Sequence, residues 1–346
     1  MKVSQEDILV SRMGRIGKLV LNRPKALNAL TLAMCHAIEK ALRAWARDDR
    51  VEAVIIRQTG ERAFCAGGDV RQLFAGGIDV QHRFWRDEYR LNALIRRYPK
   101  PYIAFVDGIV MGGGVGISLH GSHRIVTEKA VFAMPETAIG MIPDVGASHD
   151  LARMPGEIGL YLGMTGARLG TADSIYAGFG SHAVPRAGLD ELERAIAEGG
   201  AAVIDATLID DAFDAGRPSI LAYRTEIDRH FGHASPEQIF ASLAADARDF
   251  ARETLRTLQT KSPTSLKLAF RLIREARSRS FEDCLRAEWA IVSRLHEGND
   301  FAEGVRALII DKDNTPRWNP SRLGEVNDEA IARSFAPPPG PPLDLT

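Results

Sequence analysis

The fold is decided by residues 101–146, PYIAFVDGIVMGGGVGISLHGSHRIVTEKAVFAMPETAIGMIPDVG. An apolar strand is predicted over 102–106, and three consecutive glycines at 112–114 then open an apolar helical run. Two acidic residues follow in otherwise apolar surroundings, Glu136 and Asp144. The pattern predicts a site where backbone donors meet buried carboxylates.

The glycine triplet has two interpretations. Glycine lets a ligand approach the backbone closely, and free N–H groups at a helix N-terminus favour negative charge. These properties suit an oxyanion hole or an anion site, whereas close packing of helix on strand would explain the same glycines. Neither GxGxxG nor GxxxxGK occurs in this stretch, so the sequence does not support dinucleotide or nucleoside triphosphate binding.

The two acids also have two interpretations. Acidic side chains are rarely fully buried without a partner, and an apolar environment raises the pKa of a carboxyl group. A carboxylate with a raised pKa suits a general base or a nucleophile. The alternative is a surface loop that carries two solvated acids.

Composition excludes several classes of protein. The chain has 346 residues, 45% of them hydrophobic, which is enough for one large domain or two. Its 44 basic residues nearly cancel 45 acidic ones, so no nucleic-acid partner is expected. No apolar run is long enough for a membrane span, and the first residues resemble neither a signal nor a transit peptide. The widely spaced Cys35, Cys65 and Cys284 fit a reducing cytoplasm, which is the expected location.

Strands alternate with helices in the first half of the chain, which predicts an α/β fold. The predicted elements are strands at 8–13, 18–22, 51–57 and 102–106, a loop at 60–68, a helix capped by Thr31 and a helix at 84–98.

The later half is mainly helical. Helical periodicity is found at 190–197, 236–259, 266–277 and 281–296. We therefore expect a core over 1–200, a helical C-terminal region over 201–335 that packs on this core, and a disordered, Pro-rich tail over 336–346.

Four segments resemble the crotonase (enoyl-CoA hydratase/isomerase) superfamily. They are LNRPKALNAL (21–30), FCAGGDVRQL (64–73), GIVMGGGVGISLHG with AMPETAIGMIPDVG (within 108–146) and DFAEGVRALIIDKDNTPRW (300–318). The resemblance covers nearly the whole chain. MPETAIG, PDVG and EGVRALIIDKD are similar to a hydrolase subgroup. This implies a crotonase-like superhelix of repeated ββα turns with a mainly helical C-terminal region.

The resemblance assigns roles to the glycines and acids. It implies that the N–H groups of Gly68 and Gly113 form an oxyanion hole. Hydratases of the superfamily have two catalytic glutamates, and the first of these positions is Gly116 here. Glu136 occupies the second position, and Asp144 stands where hydratases usually have glycine. This exchange favours the hydrolase subgroup, whose catalytic and substrate-binding acids correspond to Glu136 and Asp144.

Other correspondences concern substrate binding. Glu88 matches a substrate-contacting acid of the hydrolases, although by itself it would be one solvated charge on an amphipathic helix. Lys25, Ala26 and Ala66 match positions that bind coenzyme A, and Lys267 is a further candidate. Coenzyme A would be part of the substrate, and the resemblance implies no separate cofactor and no metal.

The function implied is hydrolysis of a short 3-hydroxyacyl-CoA thioester, with 3-hydroxyisobutyryl-CoA from valine catabolism as the expected substrate. Glu136 would either attack the carbonyl or activate a water. The sequence leaves open an enoyl-CoA hydratase or isomerase, and a non-catalytic CoA-binding or scaffold protein. The expected partner is the acyl-CoA, without membrane or nucleic acid, and homo-oligomerisation is left open. The ASHDLARM that follows PDVG departs from the hydrolase pattern, which leaves the acyl preference undetermined.

Overall fold

The structure is a computed structural model that describes residues 7–338 and 342–345. Its strands are β1 (Ile8–Met13), β2 (Ile16–Leu21), β3 (Ala53–Gln58), β4 (Ala63–Cys65), β5 (Tyr102–Val106), β6 (Ile109–Met111), β7 (His123–Val126), β8 (Val131–Ala133) and β9 (His182–Ala183). Its helices are α1 (Leu32–Trp45), α2 (Val70–Gly76), α3 (Ile78–Arg96), α4 (Gly113–Leu119), α5 (Ala147–Leu151), α6 (Ile158–Thr165), α7 (Thr171–Ala177), α8 (Leu189–Gly199), α9 (Ile204–Asp211), α10 (Arg224–Phe231), α11 (Pro236–Ala244), α12 (Asp249–Gln259), α13 (Pro263–Ala276), α14 (Phe281–Val292), α15 (Asp300–Val305) and α16 (Asp328–Ser334). A 3-10 helix covers Glu136–Ile139, and a π-helical segment covers Arg306–Ile310.

The described strands form two sheets. The larger sheet has the order β1-β2-β3-β5-β7-β9; β1 and β2 are antiparallel, and every later pairing is parallel. The smaller sheet is parallel and has the order β4-β6-β8. Three times the chain places one strand in the larger sheet, the next strand in the smaller sheet, and then a helix. This is the repeated ββα pattern that the family resemblance implies.

Local sequence explains the helices and strands near the predicted site. The side chain of Thr31 caps α1 by accepting a hydrogen bond from the Met34 N–H at 3.3 Å. All five residues of β5 are buried, which fits the continuous apolar run of a central parallel strand. This strand runs through β6 directly into the glycines that open α4.

The C-terminal helices share the hydrophobic core of the sheets. One cluster of buried side chains contains Val106 and Val145 together with Leu266 and Ile273 of α13. Helix α13 packs on α5 and α6, which follow the predicted site in sequence. Helix α13 thus shares its core with the sheets, while the division into a core over 1–200 and a helical region over 201–335 stays a prediction.

Two predicted elements are wrong in detail. Residues 63–65 lie in the expected loop but form β4, a strand too short to show a two-residue periodicity. The single helical run predicted over 236–259 is two helices, α11 and α12, which are separated at 245–248. Among the described residues, no helix has both the length and the apolar character needed to cross a bilayer.

The predicted disorder of the tail is contradicted at residues 342–345. Leu343 and Leu345 are each only 4% exposed and belong to the main hydrophobic cluster. The Arg97 guanidinium also donates a hydrogen bond to the Leu345 carbonyl. Residues 339–341 and 346 lie outside the described residues. The proline-rich composition predicted disorder, but burial of the two leucine side chains offsets the conformational entropy lost when this segment is ordered.

We expect Leu343→Ala and Leu345→Ala each to lower the free energy of unfolding by about 2 kcal/mol or more, because each removes a buried side chain. Leu9→Ala is the matched control, since Leu9 is 44% exposed and the same truncation there should cost within about 0.5 kcal/mol. Chemical denaturation of the three variants measures the difference. Equal effects at all three positions would contradict the packing of the tail.

Candidate active site

A cavity of about 250 Å³ lies between the smaller sheet, α3, α4 and the 3-10 helix. The predicted site residues Gly68, Glu88, Gly113, Glu136 and Asp144 all line it. Its remaining lining is mainly apolar and consists of Ala66, Gly67, Val70, Leu73, Phe84, Trp85, Met111, Gly112, Pro135, Ala138, Ile139, Met141, Phe301, Leu308 and Ile309.

Two backbone N–H groups lie side by side in this cavity. A Cβ built on Gly113 would lie 3.4 Å from the Gly68 nitrogen, so the two glycines are in close contact. Within the described residues, neither the Gly68 N–H nor the Gly113 N–H donates a hydrogen bond. Gly112, which precedes α4, has φ +49° and ψ −122°, a conformation open essentially to glycine. The glycine triplet therefore serves backbone geometry as well as close packing.

A backbone bridge holds the first of these donors in place. The Leu30 N–H donates to the Gly67 carbonyl at 2.8 Å, and the Asp69 N–H donates to the Leu30 carbonyl at 2.8 Å. Asp69 in turn caps α2, because its side chain accepts from the Gln72 N–H at 3.2 Å. Gly68 is thus fixed between a bridge and a helix start.

Three carboxyl groups are buried around the cavity. Glu88, Glu136 and Asp144 are 2%, 6% and 4% exposed. The Tyr89 hydroxyl donates to Asp144 Oδ2 at 2.6 Å. In the described structure, Glu88 Oε1 and Glu136 Oε2 have no hydrogen-bond partner. Since an unpaired buried polar atom is costly, these oxygens are available to a ligand that fills the cavity.

Burial raises the pKa of all three acids. Desolvation raises the pKa of Asp144 to about 7, although the Tyr89 hydroxyl works in the opposite direction. The pKa of Glu136 is raised well above its ordinary range, first by burial and then by the charge of Asp144. The pKa of Glu88 is raised by burial, then by Asp144 and Glu136. Burial and mutual repulsion therefore disfavour the charged form of each of the three groups.

Gly116 lies where no larger side chain fits. A Cβ at this position would be 2.8 Å from Asn92 Nδ2 and 2.8 Å from Val145 Cβ. Asn92 is fully buried, and neither of its side-chain polar atoms has a partner among the described residues. The space that a glutamate side chain at position 116 would need is thus occupied by the Asn92 amide and the Val145 side chain.

Sequence reasoning missed Tyr89, Asn92 and Glu288. Tyr89 and Asn92 share the buried face of α3 with Glu88, and helical spacing alone could have placed them there. Glu288 is a fully buried acid on α14; it accepts hydrogen bonds from the Gly146 N–H at 2.7 Å and from Ser148. Burial raises the pKa of Glu288 to about 8. The only signal for Glu288 was an acid inside an apolar helical segment.

The coenzyme A candidates lie at one edge of the cavity. Ala66 lines the cavity, and its N–H donates to the Leu27 carbonyl at 3.0 Å. Lys25 and Ala26 are exposed on the short 3-10 helix that precedes Leu27. Their exposure leaves them accessible to a ligand that reaches out of the cavity, so coenzyme A binding here stays a prediction.

Two further candidates serve other purposes. Lys267 is paired with Glu237 at 2.9 Å and with Asp328 at 2.8 Å, away from the cavity lining. Cys65 is fully buried in β4, and burial raises the pKa of its thiol to about 12, which fits a packing role. In the part of the chain that the structure describes, no cluster of three or more His, Cys, Asp or Glu side chains is arranged to hold a metal ion.

The fold is that of a known class of protein. The family model described as enoyl-CoA hydratase/isomerase matches residues 16–335, so the chain belongs to this family of the crotonase superfamily. The chain is 42% identical to the mitochondrial 3-hydroxyisobutyryl-CoA hydrolase of Danio rerio, over 95% of this chain and 89% of that protein. It is 39% identical to the human mitochondrial 3-hydroxyisobutyryl-CoA hydrolase, over 95% and 88%.

Solved structures show the same architecture. The crystal structure of a carnitinyl-CoA dehydratase from Mycobacterium thermoresistibile is 40% identical, with a TM-score of 0.93 and 99% coverage of both chains. An enoyl-CoA hydratase from Rhodobacter sphaeroides is 41% identical, with a TM-score of 0.90 and coverage of 96% and 97%. These similarities confirm the crotonase fold.

We expect Asp144→Asn to stabilise the protein at pH 8 and to leave its stability nearly unchanged near pH 4. The pKa of Asp144 is raised to about 7 in the folded protein, so the folded state binds this proton more tightly than the unfolded state does. The stability that the bound proton contributes is fully present below the unfolded-state pKa and is lost as the pH rises through the folded-state pKa. The gain at pH 8 is at most about 4 kcal/mol, since one pKa unit corresponds to about 1.4 kcal/mol.

Thermal unfolding at both pH values checks this expectation. Asp249→Asn is the control, since the Asp249 side chain is 83% exposed and lies away from the cavity. A variant Asp144→Asn that is no more stable than wild type at pH 8 would contradict the burial of an acid whose charge is disfavoured.

Proposed function

We propose that this protein hydrolyses a short 3-hydroxyacyl-CoA thioester, with 3-hydroxyisobutyryl-CoA as the substrate, in valine catabolism. The observation that carries the proposal is the pair of free N–H groups of Gly68 and Gly113 beside the buried Glu136 and Asp144. The names of relatives at about 40% identity support the same reaction.

The thioester oxygen would lie between the two N–H groups. As the carbonyl carbon is attacked, negative charge develops on this oxygen, and the two donors stabilise it without reorganisation. The C–S bond then breaks, and coenzyme A leaves as a thiolate that takes up a proton. Gly68 and Gly113 thus polarise the reacting carbonyl.

Glu136 and Asp144 supply the attack. A carboxylate whose pKa is raised by burial is a stronger base than a solvated one, so ionised Glu136 either attacks the carbonyl or takes a proton from a water. In the first case a mixed anhydride forms and water cleaves it. Asp144, which Tyr89 holds at 2.6 Å, orients this water or the substrate's 3-hydroxyl group.

The unpartnered oxygens favour a hydroxylated acyl group. Glu88 Oε1 would be 2.3 Å from a Cβ on Gly113, so it lies close to the residue that supplies the second N–H donor. Glu136 Oε2 also lacks a partner in the described structure. A hydroxyl group near the carbonyl could bond to these oxygens, whereas a plain alkyl chain would leave them unpaired. The cavity of about 250 Å³ suits a short acyl chain.

Hydration of an enoyl-CoA is the second candidate, because two similar crystal structures are of a hydratase and a dehydratase. The packing at Gly116 opposes it, since Asn92 and Val145 leave no room for a second catalytic glutamate there.

Coenzyme A would extend from the cavity past Ala66 toward Lys25 and Ala26. The similar hydrolases are named mitochondrial, so the cytoplasmic location stays a prediction.

We expect the wild-type protein to release free thiol from 3-hydroxyisobutyryl-CoA, and Glu136→Gln and Asp144→Asn to reduce kcat by about 10²-fold or more, because each removes a carboxylate that acts in the transition state. A thiol-reactive dye measures the release, with acetyl-CoA as the unhydroxylated comparison. Hydration of crotonyl-CoA without thiol release would favour the second candidate and overturn the proposal.

A single turnover in ¹⁸O-water separates the two versions of the Glu136 step. Label in the Glu136 carboxyl group after turnover indicates the mixed anhydride, because the label enters Glu136 when water attacks the Glu136 carbonyl carbon of that anhydride. Label found solely in the released acid indicates that water attacks the acyl carbonyl carbon, as it does when Glu136 acts as a general base.

We expect Gly113→Ala to fold but to lose at least about 10²-fold in kcat/KM. Its new methyl group would lie 2.3 Å from Glu88 Oε1, and the flexible Glu88 side chain can move away from it. The methyl group would nevertheless occupy space that the thioester carbonyl needs in order to reach the Gly68 and Gly113 N–H groups. Gly170→Ala is the matched control, because a Cβ there meets nothing within 4 Å and the backbone has φ −76°. Wild-type activity of Gly113→Ala would contradict the placement of the oxyanion hole.

A further inference from the structure

One peptide group beside Asp144 is held at both of its polar atoms. The carbonyl of Val145 accepts a hydrogen bond from His120 Nε2 at 2.6 Å. The N–H of the same peptide, on Gly146, donates to Glu288 Oε2 at 2.7 Å. A peptide group whose C=O and N–H are both hydrogen-bonded cannot rotate without breaking two buried hydrogen bonds.

The two partners are themselves buried and come from distant parts of the chain. His120 follows α4, whose first residue is Gly113, while Glu288 lies in α14. Their residues are 3% and 0% exposed. The polar contacts therefore tie the segment that carries Asp144 to the helix of the oxyanion hole on one side and to the C-terminal helices on the other.

The conformation of the gripped segment requires such support. Val145 has φ +56°, which is a genuine outlier for a β-branched residue. Gly146 follows with φ +81°. A strained backbone persists where the surroundings determine it strongly, and the His120 and Glu288 contacts act at this point.

We propose that His120 and Glu288 are positioning residues that fix the Asp144 carboxylate in the cavity by clamping the Val145–Gly146 peptide. This inference rests on the proposed function, because it assigns the two residues a role in the step that Asp144 serves. Neither residue lines the cavity, and their hydrogen bonds to this segment go to the backbone next to Asp144, so both act through the backbone.

The chemistry of His120 fits a fixed donor. A carbonyl oxygen can only accept, so Nε2 carries the proton in the neutral ring. Phe281 packs edge-on against this ring with centroids 4.6 Å apart. Burial lowers the pKa of His120 to about 4, so the ring stays neutral and keeps this tautomer near neutral pH.

The chemistry of Glu288 allows a conservative replacement. Besides the Gly146 N–H, its other oxygen accepts from the Ser148 hydroxyl at 2.5 Å and from the Ser148 N–H at 3.3 Å. A glutamine would keep an oxygen on the Gly146 N–H and donate its amide to the Ser148 hydroxyl, and it would lose only the longer contact with the Ser148 N–H. Glu288→Gln should therefore preserve the clamp, whereas Glu288→Ala should abolish it.

The first measurement is residue-resolved hydrogen exchange at the Gly146 amide, which needs no catalytic activity. We expect exchange at least ten-fold faster in Glu288→Ala than in wild type, and near-wild-type exchange in Glu288→Gln. Equal exchange in wild type and Glu288→Ala would overturn the clamp itself, whatever reaction the protein catalyses.

The second measurement compares kcat and KM for thioester hydrolysis. We expect Glu288→Ala to lower kcat by about 10–100-fold with KM changed less than about two-fold, because a small displacement of a reacting group costs rate rather than affinity. Glu288→Gln should restore kcat. His120→Leu and His120→Gln form a second pair, in which only glutamine keeps a donor.

The control is Glu193→Ala, which truncates another buried glutamate, one paired with Lys18 and Arg57 on the far side of the larger sheet. It should lower the unfolding temperature and leave kcat unchanged. If Glu288→Ala behaves in the same way, positioning is overturned while the hydrolase function stands. If wild type itself releases no thiol, the function fails, and hydrogen exchange still reports on the clamp.

Discussion

Placing three carboxyl groups around one small apolar cavity is the constraint on which this structure depends. Each group loses its hydration on burial, and each charge that forms opposes the next. Glu88, Glu136 and Asp144 tolerate this because burial favours their neutral forms and because the Tyr89 hydroxyl donates a hydrogen bond to Asp144. The surrounding fold has to keep the carboxyl groups in place against this cost.

The ββα architecture meets this constraint by bringing short, rigid pieces together. β4 and β6 of the smaller sheet lead into Gly68 and Gly113, and β8 leads into Glu136. None of these three residues lies on a long loop, so little conformational entropy of the protein is lost when a substrate binds. The C-terminal helices contribute no cavity acid, yet α14 stabilises the turn that follows Asp144.

The sequence predicted the parts of the site that are local in the chain. Gly113, Glu136 and Asp144 lie within one short stretch, and motif spacing was enough to bring them together. Glu88 was assigned by resemblance alone, and the structure places it in the cavity. The overall α/β class followed from the alternation of strands and helices.

The missed parts depend on contacts between distant residues. Tyr89 and Asp144 are 55 positions apart, and Gly146 and Glu288 are 142 apart, so no local pattern links them. Strand β4 has three residues, which is too few for a periodic signal. The tail has the composition of a disordered segment, and only the tertiary structure shows that Leu343 and Leu345 reach the core.

The packing at Gly116 has an evolutionary consequence. A side chain at position 116 would require Asn92 and Val145 to move, since Asn92 Nδ2 and Val145 Cβ both lie 2.8 Å from the required Cβ. The Asn92 amide is the end of a side chain and can turn aside, whereas Val145 Cβ is fixed to a backbone with φ +56°. A substitution at position 116 is therefore coupled to the residue at position 145, because extra volume in a packed interior strains its neighbours.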